Sequence, residues 1–277
     1  MIRRIFFIVL PIFLVISFAN SGYCATNPVV NIQIDGEYTN ENRLTKLVDE
    51  LVKRDMNATV YVSTMFVNDF RDVVKDIAGL GFEIAIHGYK TGEILESLEP
   101  DEQERRIKST YIALQGCLFC EKSPIMILGF RPQYFSQNDI TYRILDEMGI
   151  FYDSGFIESM IYLPGFEHYS KPYRVEGHRF YAVPISSYYY EPVKDRVYLC
   201  DMSIKNKYKL NADQWLEVLE KRLEISIKTG EPMVIIIHDL ITGIDDSYFN
   251  TFIKFLDEIK EKGIKTVSTA ELVNIYK

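Results

Sequence analysis

Four runs of apolar sequence in this 277-residue chain end on side chains that can move protons or hold cations. The run from Val29 ends at Asp35-Gly36-Glu37, and that from Phe82 at His87-Gly88. The run from Ile127 ends at Arg131-Pro132, and that from Met233 at His238-Asp239. Carboxylates take protons from water or hold a metal, imidazoles ligate or shuttle protons, and a guanidinium keeps a neighbouring carboxylate ionised. Taken singly, each has a plain structural reading: a turn at Asp35-Gly36, a core histidine at 87, a surface arginine, a helix-capping His238. In parallel α/β folds, however, reactive groups collect at the C-terminal ends of strands. Four such ends of complementary chemistry make a hydrolytic set that packing alone does not call for.

The elements that must carry these residues alternate. Glu41–Asp55 has apolar residues at three- and four-residue steps (Leu44, Leu47, Val48, Leu51, Val52), which predicts a helix. Ala58–Ser63 reads as a strand, Val67–Gly79 as a helix, Phe82–His87 as a strand and Asp101–Leu118 as a helix. Ile127–Pro132 then reads as a strand, Asn138–Gly149 as a helix, and Phe151–Asp153 and Arg179–Ile185 as strands. Ala212–Gly230 is a strong amphipathic helix, Met233–His238 a strand, Tyr248–Gly263 a helix, and Lys265–Ser268 a last strand before a short helix. This alternation predicts a parallel sheet with helices outside. The near-continuous apolar strands predict that both of their faces are covered. Periodicity does not separate a closed barrel from an open sheet. Residues 157–178 lack periodicity and read as a structured loop or hairpin over the mouth. No linker composition interrupts residues 28–277, which read as one domain.

The ordered set of strand ends resembles the polysaccharide deacetylase family, also called NodB-type or carbohydrate esterase family 4. Ile32-Gln33-Ile34-Asp35-Gly36-Glu37 is similar to its first motif in an Asp-x-Glu form. Gly81–Tyr89 (GFEIAIHGY) is similar to the second, Gly129–Ser136 (GFRPQYFS) to the third, continuing into Tyr152-Asp153-Ser154, and Ile235–Asp239 (IIIHD) to the last. The resemblance, over roughly residues 28–275, tips the fold toward a distorted (β/α) barrel of about seven parallel strands. It implies a divalent metal, most often zinc, a polysaccharide substrate, and removal of acetyl groups from N-acetylated sugars. It places Asp35 as catalytic base, Arg131 as its partner, the Tyr134 backbone N–H at the oxyanion and His238 as the acid, with base and acid on opposite sides of the reacting carbon. Glu37 and His87 become metal ligands, and Tyr89 and Asp153 substrate contacts. One departure stands out. The second motif in the family is His-x-x-x-His, and the second histidine position here is Thr91, a poor zinc ligand. An alternative alignment, through Asp-Asp-Gly, makes Asp35 the ligand and puts Ile34 where the base belongs. An incomplete metal set keeps a second function open, a non-catalytic relative that binds glycan in the same groove. A third reading, an unrelated exported α/β protein with coincident strand ends, also stays open.

Bulk composition sets outer limits. Hydrophobic residues make up 47% and charged residues 25% of the chain, as in folded soluble domains, and the net charge of −8 carries no basic nucleic-acid footprint. Residues 1–25 read as a signal peptide: Arg3 and Arg4, an apolar stretch from Ile5 to Phe18, then small residues at Ala19 and Ser21. The apolar stretch is shorter than the roughly 20 residues of a spanning helix. An uncleaved anchor and a lipoprotein at Cys24 are the alternatives. Export predicts a secreted, cell-surface or periplasmic protein, with membrane contact only through an uncleaved leader. It also allows a local disulfide between Cys117 and Cys120, with inert thiols as the alternative.

Overall fold

The structure is a computed structural model that describes residues 28–37, 40–119 and 126–277. The predicted export segment and Cys120, with its pairing to Cys117, lie outside the described residues. The chain runs β1 (Val29–Gly36), α1 (Glu41–Val52), β2 (Thr59–Val62), α2 (Thr64–Asp69), α3 (Arg71–Gly79), β3 (Glu83–Ile86), α4 (Pro100–Leu118), β4 (Gly129–Phe130), α5 (Asp139–Met148) and β5 (Tyr152–Ile157). It continues through β6 (Tyr173–Arg174), β7 (Tyr181–Ile185), β8 (Ser187–Tyr190), β9 (Asp195–Tyr198), α6 (Asp201–Asn206), α7 (Ala212–Thr229), β10 (Met233–His238), α8 (Asp246–Glu261), β11 (Lys265–Val267) and α9 (Thr269–Tyr276).

Seven strands pair in parallel in the order β10-β1-β2-β3-β4-β5-β7, with β6 antiparallel on the β7 edge and β11 parallel against β1. The far edge curls back to the start. Ser186 N–H donates to the Val234 carbonyl at 3.0 Å, and Ile236 N–H donates to the Leu199 carbonyl at 2.8 Å. The barrel is therefore closed, and distorted, by single residues of the 186–200 segment in place of a full strand.

The apolar periodicity of the helices is met where it was predicted. Leu44, Leu47, Val48 and Leu51 of α1 are buried against the outer face of the sheet, with Val30, Ile32 and Ile34 of β1. Helix ends follow local chemistry. Asn138 and Asn211 form capping boxes at α5 and α7, and Gly149 closes α5 in the left-handed conformation. The predicted 67–79 helix is two helices, broken at Phe70, where ψ is 44°. The 157–178 segment holds β6 and packs Phe166 flat on Tyr173. The β8–β9 hairpin and α6 were not foreseen.

Both faces of the sheet are covered, as the apolar strands predict, and the inner face also carries polar residues. Strand β1 turns Asn31, Gln33 and Asp35 inward, all buried, while its apolar residues face the helices. Glu83 accepts from Tyr152 Oη (2.9 Å), Thr59 Oγ1 (2.9 Å) and the Ala270 N–H at the start of α9 (2.9 Å). The interior holds this hydrogen-bonded polar column beside a second apolar cluster that includes Ala85, Val183, Ile185, Val234 and Ile236, with α9 plugging the bottom.

Candidate active site

Register brings the strand ends together. Asp35 pairs in the sheet with His238 on one side and Tyr61 on the other. His87 follows β3 and Arg131 follows β4, where the Arg131 N–H donates to the Ile86 carbonyl at 2.9 Å. Asp35, Glu37, His87, Arg131, Tyr134 and His238 all line one cavity of about 140 Å³. That suits an acetyl-sized group rather than the ~300–1,000 Å³ that engulfs a whole small molecule.

Asp35 lies at the centre. One carboxylate oxygen is ion-paired with Arg131 Nη2. The other, Oδ2, stands 3.4 Å from His87 Nε2 and 3.4 Å from His238 Nε2. The Arg131 guanidinium also lies on the Tyr61 ring, 3.9 Å from its centroid. Asp35 meets the arginine, whereas Ile34 packs into the outer core. Base and acid candidates were expected on opposite sides of the reacting carbon. The structure sets them 3.4 Å apart, because β1 and β10 are neighbours with Asp35 and His238 in register.

The two histidines are held in different states. His87 Nδ1–H donates to the Arg131 carbonyl at 3.0 Å, which leaves Nε2 as an acceptor toward the cavity. Burial pushes His87 down to about 4, helped by the His238 cation and opposed by the Arg131 carbonyl, so the ring is neutral. His238 Nδ1–H donates to Asp201 Oδ1 at 2.6 Å. Burial works against its charge, but the Asp201 carboxylate prevails and lifts His238 to about 9. Burial raises the Glu37 carboxyl, the His238 cation pulls it back, and Asp201 adds to the rise. The Glu37 N–H donates to Asp239 Oδ1 at 3.2 Å.

The third-motif loop is strained at the mouth. Tyr134 and Phe135 take φ of 55° and 57°, a left-handed conformation costing about 1–3 kcal/mol for such residues. It leaves the Tyr134 ring 65% exposed at the rim.

Two predicted substrate contacts lie elsewhere. Asp153 is fully buried and absent from the cavity wall. Tyr152 and Ser154 of β5 face inward, so alternation turns Asp153 outward, where its Oδ1 accepts from the Gly155 N–H at 2.8 Å. Tyr89 sits in the turn after β3 with its ring against Arg105 and Arg106 of α4.

The cation set is short. Glu37 Oε1 and His87 Nε2 are 3.9 Å apart. Thr91 does not line the cavity. Its turn is pinned by Gln133, whose amide accepts from the Gly92 N–H (2.6 Å) and Glu93 N–H (3.1 Å) and donates to the Lys90 carbonyl (2.8 Å). Among the described residues, Cys200, Asp201 and His238 are the group whose ligand atoms lie within 4.8 Å of one another. Asp201 is already committed there: its oxygens accept from His238 Nδ1, the N–H groups of His238, Met202 and Thr242, and Thr242 Oγ1. This trio is a histidine–carboxylate pair with a thiol beside it rather than a cation cage. Catalytic zinc sites use three protein ligands; among the described residues the neighbour of Glu37 and His87 that could be a third is Asp35, whose Oδ2 is 3.4 Å from His87 Nε2 and whose Oδ1 Arg131 already holds.

Residues 22–152 match the family model described as Polysaccharide deacetylase. Over that stretch, a little under half of the chain, the sequence is similar to the polysaccharide deacetylase family. Solved structures share its fold. A probable polysaccharide deacetylase from Pseudomonas aeruginosa PAO1 is 12% identical, with a TM-score of 0.72 over 90% of this chain and 91% of that one. The Puue allantoinase is 13% identical, with a TM-score of 0.71 over 96% and 97%. A CE4 family pseudoenzyme from Bacillus anthracis is 14% identical, with a TM-score of 0.58 over 90% of this chain and 66% of that chain. No curated protein matches the sequence.

Asp201 and Gln33 escaped the sequence reading. Asp201 ends an apolar run, Val197–Cys200, in the manner of the four recognised ends. Gln33 was marked by the polar alternation Asn31-x-Gln33-x-Asp35.

Proposed function

We propose that the cavity is an acyl-hydrolase site that removes acetyl groups from N-acetylated sugars of a polysaccharide. The observation that carries this reading is Asp35, with Arg131 on one oxygen and the His238–Asp201 pair 3.4 Å from the other. Arg131 keeps Asp35 ionised, so Oδ2 can take a proton from an attacking water. His238, protonated at neutral pH, has its Nε2–H facing the cavity and is poised to protonate the departing amine. The Tyr134 backbone N–H, in the strained loop at the mouth, is suited to a developing oxyanion. Base and acid stand side by side, 3.4 Å apart, so the substrate carbonyl must approach both from the cavity rather than pass between them. No step is assigned to a metal, since the third donor beside Glu37 and His87 would be Asp35, the base itself. The leader-like segment at residues 1–25 supports a site of action outside the cytoplasm, and the acidic net charge argues against a nucleic-acid partner.

Acetate release from N-acetylglucosamine oligomers by the purified protein tests this reading. The expected result is turnover that is lost in Asp35→Asn and in His238→Ala. The two-donor cation set supports a second reading, glycan binding without turnover. Oligomer binding by calorimetry with no acetate released, with or without added zinc or cobalt, would select it.

A further inference from the structure

The hydrogen bonds inside the barrel have a direction, and the direction leads to Asp35. At the bottom, Asn31 Nδ2 donates to the Val267 carbonyl of β11 at 2.9 Å. A backbone carbonyl can only accept, so the Asn31 amide has one orientation, with Oδ1 facing up. Gln33 Nε2 donates to that Oδ1 at 2.8 Å and to Thr269 Oγ1 of α9 at 3.3 Å. The Gln33 amide is therefore oriented too, with Oε1 toward the cavity. Oε1 accepts from Arg131 Nη1 and from Ser154 Oγ (2.9 Å). The other arm of the same guanidinium, Nη2, holds Asp35 Oδ1.

We infer that Gln33 is a positioning residue for the base, and that β11 and α9 at the barrel floor fix the aim of Asp35 through Asn31, Gln33 and Arg131. The physical argument is one of satisfaction. Arg131 is 1% exposed, and its Nε has no hydrogen-bond partner. Gln33 Oε1 and Asp35 are therefore the side-chain acceptors that set the plane of its guanidinium, with the Tyr61 face at 3.9 Å below. A flipped Gln33 amide would point two N–H donors at a cation. The Val267 carbonyl forbids that flip from a distance of two side chains. Removing the acceptor frees the guanidinium to rotate, and Asp35 Oδ2 loses its fixed position between the two imidazoles.

This inference rests on the acyl-hydrolase reading for its kinetic test and carries a second test that does not. Gln33→Met keeps length and removes the acceptor. The expected result is a kcat lower by about 10- to 100-fold, with KM within about twofold. Gln33→Glu, which restores an acceptor, should recover most of the loss. Equal losses in Met and Glu variants, or a change in KM alone, would overturn the positioning role. The second test reads Arg131 by nitrogen-15 NMR in the full chain. Its Nη protons should be resolved and slowly exchanging in the wild type and averaged in Gln33→Met. Asn31→Leu, which leaves the floor unable to orient the Gln33 amide, should give partial averaging and serves if Gln33→Met does not fold. Unchanged guanidinium signals in the variant that folds would overturn the inference. If wild type releases no acetate yet the NMR change appears, the hydrolase reading fails and the positioning chain stands.

Discussion

Asp35 makes one carboxylate serve two sides, a fixed cation at Oδ1 and a pair of imidazoles at Oδ2. That division predicts a large effect from a small change. Asp35→Asn keeps the shape and removes the proton acceptor, so acetate release should fall by about 10²- to 10⁴-fold, the range ascribed to a general base. His238 gives a signed pH prediction. Its imidazolium persists up to about 9 because Asp201 sits on Nδ1. The rate should hold through neutrality and fall as the pH rises through about 9. In Asp201→Asn the imidazole reverts toward its unperturbed value near 6.5, so the alkaline limb should move down with it. A limb that stays put in the variant would remove His238 from the acid's role. Thr91 is a different case. Histidine placed there should not raise zinc affinity measurably by calorimetry, because the 88–93 turn is stapled by Gln133 and Thr91 lies off the cavity wall.

At the level of elements, the site depends on how closely β4 and β5 pack. A Cβ on Gly129 would lie 1.9 Å from Tyr152 Cζ, so Gly129→Ala must displace the ring that supports Glu83 in the polar column. The expected cost is about 1–3 kcal/mol, read as a lower midpoint in urea, with activity falling in the folded fraction as well. The same elements show what could be read from sequence. Helices with three- and four-residue apolar spacing, such as 41–52 and 212–229, were legible because one face is buried against the sheet. The strand ends were legible because charged and imidazole side chains interrupt apolar runs. The hairpin 187–198 was not legible, since its tyrosines pair across a small separate sheet and carry no core-facing period. Asp153 was misplaced for a related reason. Its motif neighbours sit at the site, but a one-residue step along a strand reverses the face.

At the scale of the whole molecule, buried titratable groups tie stability to pH, and Asp153 gives the sharpest case. Burial lifts its carboxyl to about 8, against hydrogen bonds from the Gly155 N–H and Gln137. Its Oδ2 is a buried oxygen with no hydrogen-bond partner. The folded chain therefore keeps a proton that the unfolded chain releases above about 3.9. Between those two values the native state binds more protons, so this group makes stability fall as pH rises from about 4 to about 8, with no further loss beyond. His87 acts with the opposite sign. Held neutral down to about 4, it costs stability as pH falls from about 6.5 toward 4, because only the unfolded imidazole takes up the proton. Asp153→Asn has nearly the same shape and no titration. Its melting temperature relative to the wild type should climb steadily from pH 5 to pH 8 and then level. Parallel melting curves across that range would mean that Asp153 is ionised in the fold, and that some other group neutralises it beneath α5.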